Sequence, residues 1–87
     1  MRAKILEDRR VSLRWNSVGP GYRYNIYSAL ANQPQGYEVE NDKPLSDSGG
    51  IWIPPANPGH FLFVVTALDK EGRESARSRS VYVDLRQ

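Results

Sequence analysis

The sequence predicts an all-β protein, a seven-stranded antiparallel β-sandwich, and three observations support this class. Segments 11–15, 22–26 and 81–85 alternate apolar and polar residues with a period of two. No window sustains a helical period for ten residues. Turn-forming residues recur at short intervals along a chain of only 87 residues. A single open sheet of this size would leave one apolar face uncovered, so we expect two packed sheets around one core.

The turn-forming segments set the order of the predicted strands. Residues 16–21 separate the second strand from the third, 32–36 precede the fourth, and 41–50 lead into the fifth. Residues 54–59 and 69–75 enclose the long sixth strand. The predicted strands are 3–7, 11–15, 22–28, 37–40, 50–53, 60–68 and 79–85. We expect residues 1–87 to form a single domain without internal repeats.

Composition excludes several kinds of site. The chain has no cysteine, which rules out disulfides and thiolate metal sites, and its one histidine, His60, cannot build a multi-histidine zinc centre. The formal net charge is only +2, and no recognition helix accompanies the arginines at 73, 77 and 79. Neither a membrane-spanning apolar run nor a signal peptide is visible. We therefore expect no cofactor, no metal, no membrane partner and no nucleic-acid partner.

The sequence also lacks a recognisable catalytic arrangement. Only His60 could serve as the base of a nucleophilic triad, and no nucleophile-elbow motif is present. Glu38 and Glu40 share a strand face, but like charges on a short edge strand more often prevent sheet-to-sheet pairing. Asp69 and Glu71 fit a solvated turn better than a calcium site, which needs six to eight oxygen ligands. The protein is therefore predicted to be a non-enzyme.

Three segments carry a resemblance to a known family. VSLRW (11–15), YRYNIY (22–27) and PGHFLFVVTALDKEGRESARS (58–78) resemble strands B, C and F and the F–G turn of a fibronectin type III domain, especially the bacterial type. Residues 29–50 match only loosely. Family members usually have a tyrosine at the start of strand F, where this chain has Phe61. Gly72 falls where the tight F–G turn needs a positive φ.

The resemblance implies which side chains form the core and which face outward. Trp15 is expected to fill the space between the two sheets. If Ile51 and Ile53 point into the core, Trp52 points outward. The expected core residues are Trp15, Tyr24, Ile26, Phe61, Phe63, Val65, Ala67, Val81 and Val83. The expected outward residues are Tyr27, Leu62, Val64 and Tyr82, together with Trp52 on the short fifth strand near an edge.

These outward residues predict a protein-binding face, because apolar side chains on adjacent strands can merge into one contact patch. The alternative is an idle face shielded by arginine side chains. The expected function is a non-catalytic structural module that attaches to a larger assembly, with the isolated domain a monomer. Met1 and the short termini favour a stand-alone protein, and the resemblance suggests a bacteriophage capsid or tail decoration protein on the virion surface. The alternative is a spacer in an extracellular bacterial carbohydrate-active enzyme or adhesin.

Overall fold

The computed structural model describes residues 1–6, 10–41, 43–52 and 59–85, without the side chain of Trp52. Within these residues the chain is all-β and contains no helix, and therefore no helix that could cross a membrane. The strands are β1 (Arg2–Ile5), β2 (Val11–Arg14), β3 (Arg23–Leu30), β4 (Glu38–Val39), β5 (Gly49–Trp52), β6 (Gly59–Leu68) and β7 (Val81–Leu85). All seven overlap the predicted strands.

The strands form two antiparallel sheets. One sheet has three strands in the order β1-β2-β5, and the other has four in the order β4-β3-β6-β7. Strand β6 is the longest and pairs with β3 on one side and β7 on the other. Both sheets contribute to one buried cluster, so each sheet covers the apolar face of the other.

The buried cluster includes Trp15, as the sequence predicts. Trp15 is 8% exposed, and its ring meets that of Tyr24 edge-on with 5.5 Å between centroids. This geometry suits the quadrupoles of two aromatic rings. The remaining buried members are Val11, Leu13, Ile26, Phe61, Phe63, Val65, Val83 and Leu85, and the partly buried Ala67 and Val81 pack against them.

Strand β5 has the opposite orientation from the one expected. Ile51 is 56% exposed, because the register places it across from Ser12 on the outward side of the sheet. Gly50 lies across from the buried Leu13, and a Cβ on Gly50 would come within 3.7 Å of Leu45 and Ile26. The expectation that Ile51 points inward is therefore wrong. Ile53 and the Trp52 side chain lie outside the described residues.

The turn after β6 is built as predicted. Gly72 has a φ of +82°, which glycine adopts without a Cβ clash. Asp69 Oδ1 accepts hydrogen bonds from the backbone N–H groups of Glu71 and Arg73, and Asp69 Oδ2 accepts one from Arg73 Nε at 2.9 Å. The pKa of Asp69 is lowered, chiefly by the bond from the Arg73 backbone. The carboxylate of Asp69 thus stabilises the turn.

Between this turn and β7, the chain pairs with β6 partly through two serine hydroxyls instead of backbone carbonyls. The N–H groups of Ala67 and Val65 donate to Ser75 Oγ and Ser78 Oγ at 2.9 and 3.0 Å. The backbone N–H groups of the same serines donate back to the carbonyls of Ala67 and Val65. Residue 65 thus faces residue 78 and residue 67 faces residue 75, so the segment after the turn has one extra residue, as in a β-bulge. Regular pairing resumes only at Val81, later than the predicted start at 79.

Truncation of Trp15 should severely destabilise the protein. We expect Trp15→Ala to lower the free energy of unfolding by about 3 to 5 kcal/mol, since it leaves a cavity between the sheets. Trp15→Phe should cost less, because phenylalanine keeps a ring and removes the buried indole N–H, which has no hydrogen-bond partner. Urea melts measure both. Equal losses would place the main contribution of Trp15 in its indole.

Removal of the Ser78 hydroxyl should lower the free energy of unfolding, because this hydroxyl accepts a backbone hydrogen bond in the irregular ladder. Ser78→Ala leaves the N–H of the buried Val65 without its acceptor, so we expect a cost of about 1 to 3 kcal/mol. The exposed Ser80 provides a matched control, and Ser80→Ala should change stability by less than about 0.5 kcal/mol. Chemical denaturation compares the two. If Ser78→Ala left the free energy of unfolding unchanged, water would have replaced the hydroxyl as the hydrogen-bond acceptor.

Candidate protein-binding face

The outward side of the four-stranded sheet, here called the outer face, brings together the predicted contact residues of β3, β6 and β7. Tyr27 on β3 lies directly opposite Val64 on β6. Leu62 on β6 lies directly opposite Tyr82 on β7. Because residues opposite each other in a sheet share a face, all four belong to one surface.

The four residues are not equally accessible. Tyr82 is 55% exposed, and Leu62 and Tyr27 are half-buried, but Val64 is only 3% exposed. Val64 lies on the central strand beside the larger ring of Tyr27, so its short side chain does not reach the surface. The prediction of an accessible Val64 therefore needs correction. Of the four predicted residues, Leu62 and Tyr82 remain as neighbouring accessible apolar side chains. Val39 on β4, opposite Tyr27 and 53% exposed, is a further accessible apolar residue of the outer face.

A polar cluster occupies the part of the outer face around Tyr27. Glu74 Oε2 accepts hydrogen bonds from the hydroxyls of Tyr27 and Thr66, the latter at 2.5 Å. Glu74 is joined to the end of β6 by a bridge to Leu68. Thr66 is 3% exposed, so the carboxylate satisfies a buried hydroxyl. This half of the face is engaged within the domain.

The guanidinium of Arg77 lies over the ring of Tyr27 on the outer face. Its guanidinium carbon lies 5.4 Å from the ring centroid of Tyr27 and 4.9 Å from that of Tyr37. Both distances fall within the range of cation–π attraction. Arg77 follows Ser75 in the irregular segment before β7, which places it beside the outer face. The arginine shielding considered from the sequence thus occurs at Tyr27.

The polar cluster shifts two pKa values in opposite directions. The pKa of Glu74 is lowered, first by the hydrogen bond from Thr66 and then by that from Tyr27, with a smaller contribution from Arg77. The pKa of Tyr27 is raised, chiefly by its hydrogen bond to Glu74. Both shifts favour an ionised carboxylate of Glu74 that accepts a hydrogen bond from the neutral phenol of Tyr27. The cluster is therefore most stable between the pKa values of its two members.

The other half of the outer face presents a positioned tyrosine. The hydroxyl of Tyr82 is hydrogen-bonded to Nδ1 of His60, and the two rings lie 5.6 Å apart. Nε2 of His60 lies 3.7 Å from Oδ1 of Asp84. His60 and Asp84 are directly opposite each other on β6 and β7. His60, which itself lies near Asp84, thus holds the hydroxyl of an exposed aromatic side chain, and Leu62 lies opposite that side chain. We call Leu62 and Tyr82 the outer patch.

The sequence did not reveal Glu74 or Arg77 as parts of this face. Both lie beyond the turn, and the serine-mediated bulge changes which way each side chain points. Their segment, Glu74-Ser75-Ala76-Arg77-Ser78, has no clear period of two. The only usable signal was the pair of serines spaced three residues apart, which can bond to a neighbouring backbone.

Two of the other acidic residues considered from the sequence have structural partners. Glu40 accepts a hydrogen bond from the hydroxyl of Ser28. Glu71 pairs with Arg73 at 2.7 Å. Among the described residues, no group of three or more His, Asp or Glu side chains could hold a metal ion.

The Glu74 cluster predicts a specific loss of stability in acid. Because its pKa is lower in the folded protein, Glu74 stabilises the fold above about pH 4.5, and this contribution disappears as the pH falls through the lowered value. Glu74→Gln should remove that component, while the exposed Glu38→Gln should retain it. Thermal melts from pH 7 to about pH 2 measure the slopes. Identical slopes in all three proteins would show that Glu74 adds nothing.

Comparison of the sequence with protein-family models found no matching family, and comparison with curated proteins found no matching relative.

Proposed function

We propose that this protein is a non-catalytic binding module with a fibronectin type III-like β-sandwich, which attaches to a larger protein assembly through the outer patch. The observation that carries the proposal is Tyr82, which is 55% exposed although its hydroxyl is held by His60. A tyrosine that is already positioned loses little conformational freedom on binding. Tyrosine is also enriched in protein interfaces, since its ring is apolar and its hydroxyl polar.

The strand order supports the proposed fold type. Strands β3, β6 and β7 lie in one sheet, which is the arrangement that the resemblance implies for strands C, F and G. Strand β2, which carries the VSLR segment before Trp15, lies in the other sheet. The core between the two sheets holds the aromatic residues that the resemblance places there.

The assembly that we propose is a bacteriophage capsid or tail, with the protein as a decoration subunit on the virion surface. In that role Leu62 and Tyr82 would be buried against a repeated particle surface, and the isolated domain would be monomeric. The competing role is a spacer in a secreted bacterial carbohydrate-active enzyme or adhesin. The reading frame around residues 1–87 separates the two, because a spacer is flanked by linkers rich in Pro, Ser, Thr or Gly.

A charge in the outer patch should prevent attachment. We expect Leu62→Lys to abolish binding, because an unpaired charge desolvated at an interface costs several kcal/mol. Tyr82→Ala should weaken binding by about 2 kcal/mol or more if the ring anchors the contact. Both residues are at least partly exposed, so the melting temperature should change little. The protein and its variants are co-expressed with the neighbouring genes, and co-sedimentation with purified particles is quantified.

Val18→Lys supplies the control for added charge. Val18 is 59% exposed and precedes β3, away from the outer patch. This variant should attach as the unmodified protein does. Attachment of Leu62→Lys at the level of this control would refute the outer patch as the contact surface. Absence of the unmodified protein from all particles would refute the decoration role itself.

A further inference from the structure

The outward side of the three-stranded sheet, here called the basic face, concentrates positive charge. Arg2 lies directly opposite Arg14, and Lys4 lies directly opposite Ser12. The next strand places Ile51 opposite Ser12. The three cationic side chains and Ile51 are all exposed. The chain's formal net charge is only +2, so these three cations on one sheet exceed the surplus of the entire protein.

The charges on this face repel one another. Side chains directly opposite each other on adjacent antiparallel strands have Cβ atoms about 5 Å apart, and like charges there are unfavourable. Arg2 and Arg14 form such a pair. In the part of the chain that the structure describes, neither arginine nor Lys4 makes an ion pair. An anion bound between them would remove the repulsion, which gives binding a favourable contribution beyond the contact itself.

The basic face is also concave. Ser12 lies at its centre and is half-buried, and Gly49 lies opposite Arg14 without a side chain. A Cβ on Gly49 would lie 3.0 Å from the Leu13 carbonyl oxygen, so a side chain there would require the neighbouring backbone to shift. An open depression runs over this surface, and Asp47 is the only carboxylate among the described residues that line it. Arg2, Lys4 and Arg14 therefore line a shallow depression that also includes Ser12 and Gly49.

We propose that the basic face binds an extended acidic segment of a protein partner. Residues two apart on one strand, such as Arg2 and Lys4, are separated by about 7 Å, and the same spacing separates alternate carboxylates on an extended peptide. Arginine binds carboxylates through two parallel hydrogen bonds, and the exposed Ile51 offers an apolar contact to the intervening side chains. The described outward residues of this face include no aromatic ring on which nucleic-acid bases could stack, which favours carboxylates over single-stranded nucleic acid.

This inference does not depend on the outer patch. The two surfaces lie on different sheets, and the shared core separates them. A domain with both contacts would join two partners on opposite sides, one through Leu62 and Tyr82 and the other through carboxylates. Tyr82→Ala should consequently leave acidic-peptide binding unchanged, so failure of one proposal is distinguishable from failure of the other.

The direct test measures binding of a fluorescent peptide in which glutamate alternates with threonine. Fluorescence anisotropy at low salt gives its Kd for the full chain. We expect the double variant Arg2→Gln, Arg14→Gln to bind about threefold to tenfold more weakly, as two exposed charge contacts predict. Asp47→Asn should strengthen binding, since it removes the one carboxylate among the described residues that line the depression. Circular dichroism melts verify that each variant is folded.

Matched controls separate this site from general attraction to a basic protein. A double variant Arg23→Gln, Arg79→Gln removes the same charge from exposed positions outside the basic face and should change Kd by less than about twofold. The corresponding glutamine–threonine peptide should not bind. Equal losses in the two double variants would overturn the proposal. Tighter binding of an oligothymidylate of equal charge would overturn it as well, and would identify phosphate as the preferred chemistry.

Discussion

Strand β6 has to be covered on both of its faces, and much of the structure is organised around that requirement. Its inward residues Phe61, Phe63 and Val65 enter the shared core, while Val64 is buried on the other side. A strand with two apolar faces is stable only where neighbours cover both. Its central position between β3 and β7 also pairs its backbone on both edges. The core and the outer face therefore have one strand in common.

The cover of the outer face comes from the irregular segment that follows β6. This segment replaces a regular ladder with serine hydroxyls, and the resulting bulge brings Glu74 and Arg77 over the sheet. Glu74 satisfies Thr66 and Tyr27, and Arg77 lies against the ring of Tyr27. Polar and cationic side chains thus complete a surface that the strand alone would leave apolar. The apolar side chains that remain accessible on this face include Leu62 and Tyr82 of the outer patch, and Val39 beside Tyr27.

The two sheets present outward surfaces of different chemistry. On the four-stranded sheet, Glu74 is bonded to tyrosine and threonine hydroxyls, Arg77 lies against aromatic rings, and the ring of Tyr82 is exposed. On the three-stranded sheet, cations lie opposite one another around a shallow centre. The core between them consists of apolar side chains from both sheets. Such a domain suits two independent contacts, because each sheet can bind without rearranging the other.

The sequence by itself determined the all-β class, the order of the strands, most core residues and the glycine turn. These features follow from local rules, namely the period of two, the turn residues, and the positive φ at Gly72. The sequence did not determine how exposed a side chain is where residues on adjacent strands cover it. Val64 is outward in register yet buried, because exposure depends on the rings and strands beside it.

At β5, the pairing register with β2 likewise determined which side chains face outward. The alternation of residues 50–53 allows either face to be inward, and a shift of one residue exchanges them. The pairing of Gly50 with the buried Leu13 and of Ile51 with Ser12 places Ile51 on the outward side. Likewise, Arg2, Lys4 and Arg14 are separate charges in the sequence and become one surface only when β1 and β2 pair. Local patterns determine the strands, but only tertiary contacts determine which surfaces those strands share.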